Sequence, residues 1–142
     1  MRISAETEHL ISTKGSHSST FMNLLVADSG ARCSIVSNKK LLSNIRSAPN
    51  NETMCMHCNS GTIQTDLIGD LEGYGEVWYN PKGIANIISL GKASTRHQIT
   101  MDSTLDNTIF IHKPDGTVRR FECMKSGIYC CDLERSNSFV ST

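Results

Sequence analysis

Leu24-Leu25-Val26-Ala27-Asp28-Ser29-Gly30-Ala31 is the stretch that decides the fold. Four apolar residues run straight into an acid, a hydroxyl, a glycine and an alanine. The apolar run has the composition of a buried strand. Asp28 then sits on a tight, backbone-exposed turn, where Ser29 can hydrogen-bond to fix the loop. Gly30 permits torsions and close approaches that a Cβ would block, and Ala31 is small enough for a crowded site. A plainer reading also fits the octapeptide, since Asp-Ser-Gly after any strand favours an ordinary turn. The surrounding chain has to decide between them.

Outward from this point the pattern stays extended. Residues 1–19 are polar and rich in Ser and Thr and read as a flexible lead-in. The folded unit is expected over 20–133, with 134–142 as a tail. Phe21 to Ala27 reads as a buried strand, with Ile35-Val36 returning as a second. Leu41, Leu42 and Ile45 have the spacing of one or two helical turns that Pro49 stops. Residues 61 to 75 alternate, with Ile63, Thr65 and Leu67 on one side, and Gly69, Gly73 and Gly75 punctuate them as a hinged hairpin. Val77-Trp78-Tyr79 follows as a strand, then the turn Asn80-Pro81-Lys82-Gly83 and the apolar run Ile84 to Gly91. Further extended segments fall at about 97 to 101, 108 to 112, 117 to 123 and 128 to 133, with Lys113-Pro114-Asp115-Gly116 as a hairpin turn. Many short strands with regular turn signals predict an all-β domain, a small closed β-barrel with at most one or two short helices.

Composition removes several function classes. The 142 residues carry 14 basic and 14 acidic side chains, so no net field draws the chain to nucleic acid or an anionic membrane. No apolar run approaches the roughly 20 residues of a membrane helix. Glu6, Glu8 and His9 stand where a signal peptide would be apolar, which points to an intracellular protein. The six cysteines, at 33, 55, 58, 123, 130 and 131, are then expected as free thiols. Cys55-Met56-His57-Cys58 has the spacing of a zinc half-site, but no second ligand pair closes a tetrahedron, and no metal is expected. His57, His97 and His112 read as surface or half-buried positions without a role, and Trp78 and Tyr79 as core or interface aromatics.

The order of these features resembles the protease region of Pol polyproteins from copia-type (Ty1/copia) retrotransposons. The residues that carry the resemblance are LLVADSGA at 24–31, the glycine-punctuated hairpin, VWYNPKGIANIISLG at 77–91, ITMDS at 99–103, IFIHKPDG at 109–116 and SGIYCCDL at 126–133. The resemblance implies a retropepsin-like β-barrel, working as a homodimer that cuts its own polyprotein in a cytoplasmic virus-like particle. It implies a catalytic site of Asp28, Ser29 and Gly30. It places a flap at about 61–72 and sets the substrate peptide against Ala31, Ile63, Leu67, Ile68 and Ile88. No cofactor is implied, no membrane is involved, and nucleic acid enters only through the parent element. The tail leads toward an integrase region that this sequence does not include.

The chemistry itself calls for a pair. Peptide hydrolysis by carboxyl groups needs one carboxylate to activate water and one carboxylic acid to polarise the carbonyl, and a lone aspartate cannot do both. Two aspartates about 3 Å apart share one proton and so supply acid and base together. Asp102-Ser103-Thr104 lacks the glycine, and Asp115-Gly116-Thr117 lies in a polar turn beside Lys113, Arg119 and Arg120. The second aspartate must therefore come from another copy of the chain, across a two-fold axis. Two residues stand out against the retropepsin pattern, of which Ser89 is frequent in copia-type sequences. Arg32 follows Ala31 where Thr or Ser is usual and brings a guanidinium near Asp28. Ser89 stands where other retropepsins carry glycine. The rival reading is a catalytically silent β-barrel that serves as a structural or dimerisation module.

Overall fold

In the computed structural model, residues 22–58, 61–133 and 139–141 are described. The expected lead-in 1–19 and most of the tail 134–142 lie outside them. The chain is all-β, as its alternation predicts. Its strands are β1 (Leu24–Asp28), β2 (Ile35–Val36), β3 (Leu42–Ser47), β4 (Met54–Cys58), β5 (Gly61–Thr65), β6 (Leu67–Leu71) and β7 (Gly75–Tyr79). There follow β8 (Asn86–Ser89), β9 (Gln98–Asp102), β10 (Asp106–His112), β11 (Thr117–Cys123), β12 (Tyr129–Asp132) and β13 (Phe139–Ser141). One short helix, α1 (Leu90–Ala93), follows β8 directly. No helix among the described residues is long and apolar enough to cross a membrane.

One large sheet runs β3-β6-β7-β2-β8-β1-β12-β11-β10-β9, with β13 paired to β11, while β4 and β5 form a separate two-stranded ribbon. The ladder is open. β3 and β9 end it without pairing to each other among the described residues, so the expected closed barrel has no hydrogen-bonded seam there. Most neighbours are antiparallel, but β1 runs parallel to β8 and β2 parallel to β7. A strand buried on both faces needs apolar side chains without alternation. Ile87-Ile88 inside the fully buried β8 meets that need.

Strand alternation divides the core in two. Val26 and Ile87 pack with Ala31, Ile35, Met54 and Met56, while Ala27 and Ile88 pack with Val36, Val77, Ala93 and Phe121. Neighbouring residues on β1 and β8 thus serve opposite faces of one sheet. Asn86 locks the three central strands together. It is fully buried, its Oδ1 accepts from the Ser37 and Asn38 N–H groups at 3.0 Å each, and its Nδ2 donates to Met22 O at 2.8 Å and Leu24 O at 3.0 Å. Gly83 packs against Ser37, and a Cβ there would collide with Ser37 Oγ and crowd Asn80. At the β10–β11 turn Gly116 takes φ +88°, a conformation that glycine adopts without strain.

The helical turns expected around Leu41, Leu42 and Ile45 are a strand instead. A single 3-10 turn, Lys39–Leu41, capped by Asn38, leads into β3, which pairs with β6 from Leu42 opposite Leu71 to Ser47 opposite Leu67. Asn44 absorbs a bulge in that ladder at φ +52°, which asparagine tolerates better than most residues. The long-range pairing outweighs a weak local preference for helix. Arg46 braces the outer face, with Asp70 at 3.2 Å and Glu76 at 2.7 Å.

Candidate active site

Asp28 is the last residue of β1, where the sequence sets it, and it is 6 % exposed while Ser29 and Gly30 on the turn are exposed. The Gly30 N–H donates to Asp28 Oδ1 at 2.7 Å, which closes the turn. Gly30 therefore contributes a donor to the carboxylate, and the bond expected of Ser29 is made by its neighbour. Asp28 Oδ2 is buried without a hydrogen-bond partner. A buried carboxylate oxygen ordinarily finds a donor, and leaving one without costs free energy.

β8 supports this turn from below. In the parallel ladder Asp28 is the register partner of Ser89, and Ala27 of Ile88. Ser89 Oγ donates to Ala31 O at 2.6 Å and accepts from the Lys92 N–H at 3.2 Å, so one hydroxyl braces the loop after Asp28 and caps α1. The Ser89 N–H donates to Ser34 Oγ at 3.0 Å. Ser89 is thus a strut, and Ser34, which the sequence does not single out, is its second attachment. Arg32 is exposed, and no salt bridge joins it to Asp28 among the described residues.

The expected substrate-binding residues fall into separate groups. Ala31 is buried in the cluster that Met54 and Met56 enter from β4, and Ile63 of β5 packs against the same cluster. The ribbon therefore rests its apolar side on the face of β1 that carries Val26, which alternation also assigns to Asp28. The segment 61–75 expected as one glycine-punctuated hairpin is split: Gly61–Thr65 pairs with Met54–Cys58 in the ribbon, while Leu67–Leu71 pairs with Gly75–Tyr79 in the main sheet across a turn where Gly73 takes φ +84°, so Leu67 and Ile68 lie in β6. Ile68 and Ile88 line a cavity elsewhere, and Asp28 does not line it.

Thr65 ties the ribbon's base to the sheet: its hydroxyl donates to Tyr79 O at 2.6 Å and accepts from the Leu67 N–H at 3.1 Å. Alternation was legible in β5 but not in β4, whose Met54-Cys55-Met56-His57-Cys58 read as a zinc half-site. In the structure Met54 and Met56 are buried and Cys55 and His57 exposed, a plain amphipathic strand. Among the described residues no three His, Cys, Asp or Glu side chains come together as a metal site.

Comparison of the chain with protein-family models, with curated proteins and with solved structures finds no match.

Proposed function

We propose that this chain is an aspartic endopeptidase domain of a copia-type retrotransposon Pol polyprotein, active as a homodimer in which each copy contributes Asp28. The observation that carries the reading is the carboxyl group itself. It ends an apolar strand, one oxygen is fixed by the turn N–H, and the other is buried with no hydrogen-bond partner. A second Asp28 sharing one proton would supply that missing partner.

In such a dimer one carboxylate takes a proton from water as it attacks the scissile carbonyl, and the other, protonated, polarises the carbonyl oxygen. The β4–β5 ribbon, which lies on Asp28's side of β1, would cover an extended peptide and exclude solvent. The substrate is the element's own polyprotein, cut within a cytoplasmic particle, and neither cofactor nor membrane takes part. Asp28 must first be uncovered on the side that meets its mate.

Burial of Asp28 favours one other reading. An aspartate that accepts its own turn's N–H at i+2 fixes the turn by that bond alone, and the domain would then be a silent structural or dimerisation module. A peptide-cleavage assay at mildly acid pH, with and without pepstatin, combined with sedimentation, separates the two. The enzyme reading expects a dimer whose cleavage is blocked by the inhibitor and falls at least about a hundredfold in Asp28→Asn. A folded chain that cleaves nothing, with Asp28→Asn identical to it, leaves the structural module.

A further inference from the structure

Beside β8, lined in part by Ile88, lies a cavity of about 420 Å³, inside the range of roughly 300–1,000 Å³ that small-molecule sites occupy. Its walls come from β6, β7, β8, α1 and the turn after α1, with the loop at Cys33 and Ser34 and the β3–β4 connection at Ala48, Pro49 and Glu52. Trp78 and Tyr74 give it aromatic surface, and Ile68, Val77 and Ile88 give it apolar surface. Two cations, Lys92 and Arg96, line it with exposed side chains, and neither belongs to any salt bridge among the described residues.

The acids on the same lining do not balance them. Glu76 is already engaged by Arg46 at 2.7 Å, which leaves Glu52 as the other acid on a lining that carries two cations. Arg96 is steered toward the aromatic wall by a 3.4 Å bond to Tyr74 O. The His97 ring stands edge-on to Tyr74, with 5.7 Å between centroids, and both of its nitrogens are buried without a partner. Burial also raises the Tyr74 phenol well above its ordinary range, so it adds no anion to the wall.

We propose that this cavity is a binding site for a small molecule with a ring-sized apolar body and one anionic group, the body against Trp78 and Ile88 and the anion between Lys92 and Arg96. Asp28 does not line the site, although Cys33 and Ser34 of the loop after it do, and the proposal does not depend on the protease reading. An aromatic carboxylate or sulfonate has this chemistry. A neutral ring of the same size would gain the apolar contact but not the cations.

Trp78 is the sole tryptophan, so the cavity carries its own reporter. The full chain is titrated with the sulfonate probe 8-anilinonaphthalene-1-sulfonate and, separately, with its uncharged relative N-phenyl-1-naphthylamine. Energy transfer from Trp78 is followed, and thermal unfolding checks each variant. The sulfonate is expected to saturate at one per chain. Lys92→Gln combined with Arg96→Gln should weaken it about tenfold and change the uncharged probe less than about twofold. With the unaltered protein, high salt should weaken the sulfonate alone. Absence of saturable transfer from Trp78, equal loss of both probes in the double variant, or salt-independent sulfonate binding would each overturn the assignment.

Discussion

Asp28 and Ser89 are register partners across the parallel ladder of β1 and β8, so the strand that delivers the carboxylate and the strand that delivers the helix cap end at the same level. The loop that follows Asp28 is then held from β8 by Ser89 on both sides, through Ala31 O and Ser34 Oγ. The position of the carboxyl is a property of this pair of strand ends more than of the turn sequence alone.

Ser89→Ala removes the hydroxyl that braces Ala31 O and caps α1. Losing a cap and leaving a carbonyl short of its donor should cost about 1–3 kcal/mol in urea unfolding. Amides over residues 29–34 should exchange faster than those of β10 and β11. Unchanged stability with unchanged exchange would remove Ser89 as the strut.

Asn86→Ala strands two N–H groups and two carbonyls at once, in a position with no access to water. A cost of about 2–4 kcal/mol is expected. Asn86→Asp should be no better, because a carboxylate cannot donate to Met22 O and Leu24 O. Chemical denaturation of both variants measures this directly.

The β4–β5 ribbon makes no ladder with the main sheet, so its apolar side chains carry its attachment. Met56 is wholly buried there, and Met56→Ala should cost about 2–4 kcal/mol. Hydrogen exchange should show Met54–Thr65 opening well before the sheet does. Equal protection of ribbon and sheet would mean that the hydroxyl ties at Thr65 suffice.

Burial pushes the Cys130 thiol up from its ordinary 9.0 to about 11, with the neighbouring Cys131 and Asp132 adding to the rise. The folded state thus prefers the protonated form. Stability from this source is complete below pH about 9, where the unfolded thiol is also protonated, and falls as pH rises toward about 11. Cys130→Ser should flatten that alkaline loss in a pH series of unfolding curves. Alkylation at pH 8 should modify exposed Cys55 far sooner than Cys130.

Much of this architecture is readable from residue order. β1, β7, β8 and the β10–β11 hairpin declare themselves because buried strands concentrate Ile, Val, Leu and Trp between Gly, Pro and Asp turns. β3 does not, since its face is polar and its strand character comes from β6. β4 was hidden by its cysteines, which drew attention to ligand spacing while Met54 and Met56 carried the period-two signal. Within the candidate site, Asp28 and Gly30 were legible because a turn is local. The roles of Ser34, Ser89 and Asn86 were not, because each bonds a residue some 50 or more positions away. The separation of Ile88 from Asp28 follows from which side of a parallel ladder each residue takes, and a single strand's composition does not reveal it.

The central place of β1 also dictates when the molecule can mature. Its two neighbours are Asn86–Ser89 and Tyr129–Asp132, so the strand leading to Asp28 is made before both of its partners and is enclosed only when the later one arrives. At about 5–20 residues per second, several seconds pass between synthesis of Asp28 and arrival of β12. A nascent chain halted before β8 holds the acidic residue on an unmatched segment, so the Ser89 brace on the loop after Asp28 cannot form until translation has passed β8.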